Sequence, residues 1–499
     1  MQYRIKGYSF VLRYDAFNNS PLLDPQSAYT NHGIGFWQIN KNIDKLDITM
    51  GSFYDQFGTG ILFRAYEQRQ IGIDYAIQGM RLKYNLNDKW AIKGFAGNQK
   101  GNIKNRFGFA NQVISGLNIE GNLGLGADSK YGDLQVGASV VNRTLDRETM
   151  DRLVSTINTY ELADRFYPKY NVYGGNAYLT YTKDNFSWTV EGNVKSKEAI
   201  MEDDSKFHLT GGKVLYTSMS WGKGGWNLGK QTASIGLNVQ ARHVDHFSFR
   251  TAPTENLLNG LVSYLPSMTR QNTYRLLSRY NAPGQAMGED GIQGEIEFKP
   301  RKGTQIFFNG SYVQTLVSNG KLNQATGLKE AEKLFSENYL EVVQKIGKHN
   351  KLKLGIQRIV YNQTRYESEP EYVPVKTITP FGEWLHTMNQ GKSLRVEWQY
   401  LNTKNDQGSF ANLMIEVFVK KNLSVAVADM VNVAPHRYER MIIANKVLHY
   451  PTFFVGYTEK NTVFTLAFLK QQQGVNCSGG ICREEPAFSG VRFTVSSNF

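Results

Sequence analysis

The residues of this chain that come closest to a known chemical motif lie between positions 224 and 231. Gly224-Gly-Trp-Asn-Leu-Gly229-Lys230 has the spacing of a phosphate-binding loop, which holds phosphates with backbone N–H groups and a lysine. Gln231 stands where that loop requires Ser or Thr, and a strand pattern follows where the loop requires a helix. We therefore interpret the segment as a turn between two strands.

Signatures of catalysis and of bound metal are absent from the sequence. It contains neither the His-Glu-x-x-His of zinc proteases nor the Gly-x-Ser-x-Gly of hydrolases, and its 8 His residues are scattered. A hydrolase built on a barrel would need Ser, His and a third group to converge, and nothing in the sequence points to such a group. We expect no enzymatic activity, no cofactor and no metal site.

Cys477 and Cys482 are the only cysteines, and a short loop separates them. Gly479 and Gly480 in that loop allow the tight reversal that a small disulfide ring needs. A metal site would require more ligands, and no His lies nearby in the sequence. We predict a disulfide formed in an oxidising compartment and carried by a loop over residues 474–490, with two free thiols as the alternative.

Charged residues alternate with apolar residues along several segments, so their side chains would share one face of a strand. A strongly ion-selective pore would use rings of a single sign, whereas these faces carry both signs. The mixture suits either a poorly selective aqueous channel or a lumen crosslinked by salt bridges. The charged residues predicted to face the lumen are Arg81, Lys83, Glu191, Glu295, Glu297, Arg395 and Glu397.

The stretch 56–78 breaks this alternation through its glycine spacing and its charged residues. It either folds inward and narrows the lumen or forms an irregular strand pair at the rim, with a small preference for the inward fold. In the inward arrangement, Arg64, Glu67 and Arg69 are predicted to form a constriction.

The elements that must position these residues are strands with one apolar and one polar face. Hydrophobic residues make up 41% of the sequence, the mean hydropathy is −0.43, and aromatic residues reach 13%. No apolar run reaches the roughly 18 residues of a transmembrane helix. A polar average with many aromatic residues and alternating strands is typical of a membrane β-barrel, because one face of each strand meets lipid and the other meets the lumen.

We predict an all-β fold, a single transmembrane antiparallel β-barrel of outer-membrane type that spans residues 1–499 and has about 22 to 24 strands. A soluble β-sandwich is the alternative, but so many strands would need two or three domains, and no linker divides the sequence. Short polar turns alternate with long segments, which such barrels place outside the cell. The predicted outer loops are Arg143–Asn171, Ser196–His208, Phe247–Arg270, Leu316–Ser336 and the cysteine loop.

The formal net charge of +13 and the pI near 9.3 fit nucleic acid, anionic lipid or scattered surface charge. No stripe of Lys and Arg is interleaved with aromatic residues, so we expect no nucleic acid. The expected partners are outer-membrane lipid, lipopolysaccharide and other envelope proteins. The first residues lack the apolar core of an export signal, so we expect either a processed form or a missing start. No plug domain is expected ahead of the strand at Tyr8.

Several blocks of the sequence resemble an uncharacterised family of outer-membrane barrel proteins from Bacteroidetes-type bacteria. The resemblance runs over nearly the whole chain and implies the fold and a location in the outer membrane of a Gram-negative bacterium. It implies no functional residues. The blocks are Gly51-Ser-Phe-Tyr-Asp-Gln-Phe-Gly-Thr-Gly60, Phe63-Arg-Ala-Tyr-Glu67, Gly79-Met-Arg-Leu-Lys83, Cys477-Ser-Gly-Gly-Ile-Cys482-Arg and the terminal Ser-Ser-Asn-Phe.

Two functions follow from a large barrel with a polar lumen and no catalytic set. The first is a passive solute channel with a mixed-charge lumen. The alternative is an accessory or scaffold barrel that belongs to a larger outer-membrane complex for protein secretion or barrel assembly. An outer-membrane hydrolase is a distant third.

Overall fold

The alternating segments of the chain pair into one large antiparallel sheet. The computed structural model describes residues 2–497 except 21–28, 70–71, 102–105, 125–129, 203, 257, 323–326, 328, 368–372, 389–390, 436–446, 473, 479–480 and 486. Within these residues the main sheet has 23 strands, and each strand except the first and the last pairs with two neighbours. The predicted fold class is confirmed. Among the described helices, none has the length and apolar character needed to cross a membrane.

Neighbouring strands in the main sheet follow the chain order, and the short strands of the connections stand outside it. The bounds of the strands in the main sheet are β1 Gln2–Ile5, β2 Tyr8–Ser20, β3 Tyr29–Ile43, β4 Leu46–Phe53, β9 Ile77–Asn85, β10 Trp90–Lys100, β11 Phe109–Asn122, β12 Asp133–Thr144, β13 Asn171–Lys183, β14 Phe186–Met201, β15 Phe207–Leu228, β16 Gln231–Asp245, β17 Gly288–Arg301, β18 Thr304–Gln314, β21 Lys333–Ile346, β22 Asn350–Tyr361, β23 Val375–Thr387, β24 Ser393–Leu401, β25 Gly408–Lys420, β26 Leu423–Pro435, β27 Leu448–Glu459, β28 Thr462–Gln471 and β31 Phe488–Ser497.

The remaining elements are short and lie in the connections. Two helices are α1 Arg147–Ile157 and α2 Gln363–Glu367, and single 3-10 turns span Leu162–Asp164 and Val317–Asn319. The short strands, which form separate two-stranded pairs, are β5 Asp55–Phe57, β6 Phe63–Ala65, β7 Glu67–Gln68, β8 Ile73–Asp74, β19 Lys321–Leu322, β20 Lys329–Glu330, β29 Gly474–Ser478 and β30 Ile481–Glu485.

The two faces of the sheet differ as the alternation predicts. On β21, Leu340 is 43% exposed, and it stands in register with the exposed Phe308 of β18 and Ile356 of β22. The next residues along the same strand, Tyr339 and Glu341, point to the other face and are buried. A continuous outer surface of Leu, Ile, Phe and Trp side chains facing no protein is the surface that contacts lipid in a transmembrane barrel.

The two ends of the barrel differ in the length of their connections. At one end the strands are joined by tight turns, such as Asp44-Lys45 and Asp184-Asn185, in which φ is 47° at Asp44 and 49° at Asp184. Asp tolerates this left-handed region better than most residues with a side chain. Gly229-Lys230 forms a turn at the same end, where the phosphate-loop motif had been interpreted as one. The opposite end carries the long connections.

Two of these long connections fold into the lumen. The first internal segment, residues 54–76, joins β4 to β9, and the second internal segment, residues 246–287, joins β16 to β17. The second segment contacts both arcs of the sheet, because the Leu261 carbonyl accepts from Gln99 of β10 at 2.7 Å and the Leu276 N–H donates to Gln399 of β24 at 2.7 Å. The sheet therefore wraps around both segments. The prediction of Phe247–Arg270 as an outer loop was wrong.

Two other predicted outer loops contain regular structure. Residues 147–157 form α1, which begins where the Asp146 carboxylate accepts from the Thr149 N–H at 3.2 Å and which buries Met150, Leu153 and Ile157. The predicted loop Ser196–His208 is mostly strand, since β14 continues to Met201 and β15 begins at Phe207. The propensity of these residues for loops was overridden by pairing between the two long strands.

Substituting Leu340 by Arg tests the lipid-facing surface. Because Leu340 lies near the middle of β21, a guanidinium there would enter hydrocarbon, and we expect a loss of about 2 to 4 kcal/mol in the free energy of unfolding in lipid vesicles. Ile346→Arg is the matched control, since Ile346 is the last residue of the same strand on the same face. We expect it to cost about 1 kcal/mol or less. Equal costs at the two positions would contradict the assigned faces.

Candidate functional site in the lumen

An apolar layer fills the lumen toward the end of the barrel that carries the long connections. Phe57, Ile61, Leu62 and Phe63 of the first internal segment are fully buried, and the Phe63 ring stacks on Phe95 of β10 with centroids 4.4 Å apart. The second internal segment contributes Phe247, Phe249, Val262, Met268, Leu276, Tyr280 and Ala282 to the same cluster. The inward-facing residues contributed by the strands include Ile77, Ile114, Val141, Val172, Val214, Val244, Val313, Phe335, Ile359, Val375, Leu401, Phe410, Met430 and Tyr450.

Toward the end with the tight turns, the lumen is polar and several of its charges form ion pairs. Arg81 lies 3.2 Å from Asp47 and 3.5 Å from Asp55, and Lys93 lies 3.2 Å from Asp55. On the opposite arc, Arg395 contacts three carboxylates. The distances from Arg395 are 3.0 Å to Glu383, 2.5 Å to Glu397 and 3.3 Å to Glu416.

The structure places the charged residues predicted for the lumen on the inner face of the sheet. Arg81 and Lys83 alternate with the outward-facing Met80, Leu82 and Tyr84. Glu295 and Glu297 alternate with the exposed Ile296 on β17, and Glu297 pairs with Lys299 at 2.5 Å. These contacts form local ion pairs of both signs and not rings of one sign, which fits the reading of a crosslinked lumen.

The three residues predicted to form a constriction do not converge. Arg64 stacks between two aromatic rings, with its guanidinium carbon 4.7 Å from the Tyr66 centroid and 4.3 Å from the Tyr264 centroid. Glu67 pairs with Arg13 of β2 at 2.8 Å, and Arg69 pairs with Glu67 at 3.2 Å while remaining exposed. Arg64 thus joins the two internal segments, whereas Glu67 fixes the first one to the wall.

Asp74 is the centre of a buried charge cluster that the sequence did not reveal. Its carboxylate is fully buried and lies 2.9 Å from the Lys100 ammonium and 3.1 Å from the Arg13 guanidinium. The Tyr54 hydroxyl donates to it at 3.0 Å. Burial is the largest single influence and would raise the pKa of Asp74, but Lys100, Arg106 and Arg13 together outweigh it and hold that pKa below its ordinary value. The cluster ties the end of the first internal segment to β2 and β10.

The tip of the first internal segment meets the wall at Glu191 of β14. The Thr59 N–H donates to the Glu191 carboxylate at 2.7 Å, and the Asn176 side-chain amide donates to it at 3.0 Å. Gly58 has a φ of +56°, and a Cβ there would lie 2.6 Å from the Glu191 carboxylate. Only glycine both adopts this conformation readily and lets the tip approach so closely.

The second internal segment is anchored mainly on the arc from β18 to β25. The Arg270 guanidinium lies over Phe307 at 3.9 Å and over Tyr339 at 4.1 Å. The Tyr280 hydroxyl donates to Asp406 at 2.6 Å, and burial together with this carboxylate raises the pKa of Tyr280 far above its ordinary value. Tyr280 is therefore a neutral hydrogen-bond donor at any pH at which the barrel functions.

The family comparison covers the complete sequence. Residues 1–499 match the model described as "Family of unknown function (DUF6029)". The chain belongs to the DUF6029 family. No curated protein matches the sequence.

Solved structures similar to this DUF6029 member include two transporters and one import receptor. The "Copper transporter OprC" matches with a TM-score of 0.43 and 8% identity over 98% of this chain and 79% of that one. The ferric-catecholate import receptor Fiu from E. coli K12 has a TM-score of 0.38 and 8% identity over 99% and 81%. The FrpB iron transporter from Neisseria meningitidis has a TM-score of 0.39 and 9% identity over 93% and 80%.

The DUF6029 chain is an outer-membrane β-barrel on its own geometry. Its sheet is antiparallel, its outer surface is apolar, its inner face is polar below the apolar layer, and its connections are short at one end and long at the other. Antiparallel barrels with these features span bacterial outer membranes, with the long connections outside the cell. The internal segments therefore enter the lumen from the extracellular side.

The cysteine loop is described only through its backbone. Cys477 and Cys482 are register partners in the β29–β30 hairpin, while their side chains lie outside the described residues. The disulfide remains a prediction. We expect that alkylation of the unfolded protein without reductant adds no mass, and that reductant allows both thiols to react. Alkylation of both residues before reduction would leave the alternative of two free thiols.

Replacing Asp74 by Asn tests the buried charge cluster. It would leave Lys100 and Arg13 without their shared carboxylate, and we expect a loss of about 3 to 5 kcal/mol in stability together with faster proteolysis within residues 54–76. Because the pKa of Asp74 is lowered in the folded state, this difference from wild type should shrink as the pH falls through that pKa.

Asp47→Asn is the control for this test, because Asp47 also pairs with an arginine but is partly exposed to the lumen. It should cost less than about 1 kcal/mol. Denaturant unfolding in detergent measures both variants. A cost for Asp74→Asn as small as that for Asp47→Asn would contradict a stabilising role of the buried cluster.

Proposed function

We propose that this DUF6029 member is a non-enzymatic accessory or scaffold barrel of a larger outer-membrane complex, closed by its own internal segments. The observation that supports this function is the apolar layer, which runs from the wall through both internal segments without a break in side-chain contact. A steadily open passive channel would need a hydrated path through the same level. Lipid and lipopolysaccharide would surround the barrel, and an envelope protein would be its functional partner.

The energetics of the apolar layer favour the closed state. Moving the first internal segment out of the lumen would expose Phe57, Ile61, Leu62 and Phe63, which are fully buried. At about 1.5 to 3 kcal/mol for each side chain, exposure would cost roughly 6 to 12 kcal/mol. Such a cost limits a spontaneously open state to about one molecule in 10⁴ or fewer.

The surfaces left for a partner lie at the two ends of the barrel. The polar part of the lumen holds paired charges, such as Arg395 with its carboxylates, and opens toward the end with the tight turns. The outer end carries α1 and the long connections, which include exposed apolar residues such as Leu162 and Tyr167. A barrel that does not conduct but keeps structured surfaces at both ends suits an accessory subunit.

A solute channel that opens on demand is the second candidate. The mixed charges in the part of the lumen near the tight turns favour this channel. Ion pairs that face an aqueous cavity would line a passage once the apolar layer moved. Opening would then require a partner or solute whose preference for the open state offsets the cost of exposing the layer.

The Bacteroidetes-type origin belongs to the same proposal and rests on the sequence resemblance alone.

Conductance of the purified protein in planar lipid bilayers separates these functions. We expect wild type to be silent and Phe63→Asp to give current steps, because a carboxylate at this position would break the apolar layer. Leu162→Asp adds the same charge at an exposed position in an outer connection and should stay silent. The β-sheet circular dichroism of each variant shows whether the barrel is folded.

Steady open currents from wild type would contradict the closed barrel and favour the passive channel. Silence of wild type, together with a stoichiometric envelope protein that co-purifies with it, would support the accessory role. Currents that appear only when a defined solute is added would favour the channel that opens on demand.

A further inference from the structure

Glu191 is a buried carboxylate without a basic partner among the described residues. Its exposure is 0%, and its hydrogen bonds in the described structure come from the Thr59 N–H and the Asn176 amide. Both donors are neutral. Two neutral donors offset only part of the hydration that an ionised carboxylate loses on burial, so a cation bound beside it would stabilise this group.

Near this carboxylate, four buried side-chain atoms have no hydrogen-bond partner in the described part of the chain. Asn193 follows Glu191 on the same face of β14 and is 2% exposed, and neither its side-chain oxygen nor its nitrogen has a partner among the described residues. Asn176 stands opposite Asn193 in the register with β13, and its side-chain oxygen also has no partner. The Thr59 hydroxyl at the tip of the first internal segment is in the same condition. Each such buried atom costs about 1 to 3 kcal/mol unless a ligand occupies the space.

The oxygen atoms of these four side chains form a set that one kind of ligand would satisfy. A carboxylate, two amide oxygens and a hydroxyl are the donors that hard cations such as Ca²⁺ and Na⁺ prefer, whereas zinc and copper sites use nitrogen and sulfur. Water could satisfy the amides and the hydroxyl but would leave the charge of Glu191 uncompensated. We propose that Glu191, Asn176, Asn193 and Thr59 bind a hard cation at the junction between the first internal segment and the barrel wall.

The cation would fasten the tip of the first internal segment. Thr59 belongs to the segment, whereas Glu191, Asn176 and Asn193 belong to β13 and β14, so a shared cation bridges the two parts. A site with one carboxylate binds Ca²⁺ weakly, with a dissociation constant on the order of 10⁻³ to 10⁻⁴ M, as in extracellular calcium modules. Binding does not depend on whether the barrel is a scaffold or a channel, so this proposal and the proposed function can fail separately.

Thermal unfolding of the intact barrel in detergent, after chelation, tests the site with CaCl₂, NaCl and KCl at constant ionic strength. We expect the unfolding midpoint of wild type to rise with one of these cations and to reach a plateau. Glu191→Gln preserves the size of the side chain and should weaken binding of that cation at least tenfold. Glu120→Gln is the matched control, because Glu120 is a lumenal carboxylate of β11 with Lys93 nearby, and it should respond as wild type does.

Asn193→Leu keeps the test decisive if Glu191→Gln does not fold. In the chelated protein the site holds no ligand, and Leu would replace two unpartnered polar atoms with an apolar side chain of similar size. The unfolding midpoint should then be unchanged or higher than that of wild type. With a bound cation, the substitution abolishes the cation-dependent rise of the midpoint. A wild-type midpoint that no cation moves would overturn the proposal, as would a Glu191→Gln midpoint that responds like that of wild type.

Discussion

Lipid offers no hydrogen-bond partner to the polypeptide backbone, and the organisation of this chain follows from that constraint. Every N–H and C=O group in the hydrocarbon region must be bonded within the protein, which for strands requires a sheet that wraps around. Antiparallel pairing between neighbours in sequence bonds the backbone of the 23 strands from β1 to β31. Because side chains alternate along a strand, the same pairing sends Leu340 to the lipid and Glu341 to the lumen.

Wrapping so many strands creates an interior too wide for the wall side chains to fill, and the chain fills the two halves of that interior differently. In the half near the tight turns, charged side chains on neighbouring strands form partly hydrated ion pairs, such as that of Arg81 with Asp47. In the half near the long connections, the two internal segments enter and bury aromatic and aliphatic side chains against the barrel wall. Phe63, for example, stacks on Phe95. The half near the long connections thus has the packing of a soluble protein core enclosed by a membrane barrel.

The strands could be predicted from the sequence because alternation is a local property, visible within a few residues of any strand. The path of the long connections could not, because whether a segment turns inward depends on contacts with strands hundreds of residues away. Residues 246–287 contact β10 on one side and β24 on the other, and no local pattern encodes both. A signal was nevertheless present, since Val244 and Val313 are apolar residues on the polar parity of β16 and β18, next to the long connections. Such exceptions mark where the lumen is not aqueous.

Polar contacts in the lumen then determine where the internal segments lie. Apolar packing alone is tolerant of small shifts, whereas Asp74 must meet Lys100 and Arg13, and Glu191 must meet the Thr59 N–H, at fixed positions on the wall. The first contact holds the base of the first internal segment and the second holds its tip, and Phe63 between them stacks on Phe95. A buried charge is costly, and its presence at both ends of one segment is best understood as the means by which this connection adopts a single position in the lumen.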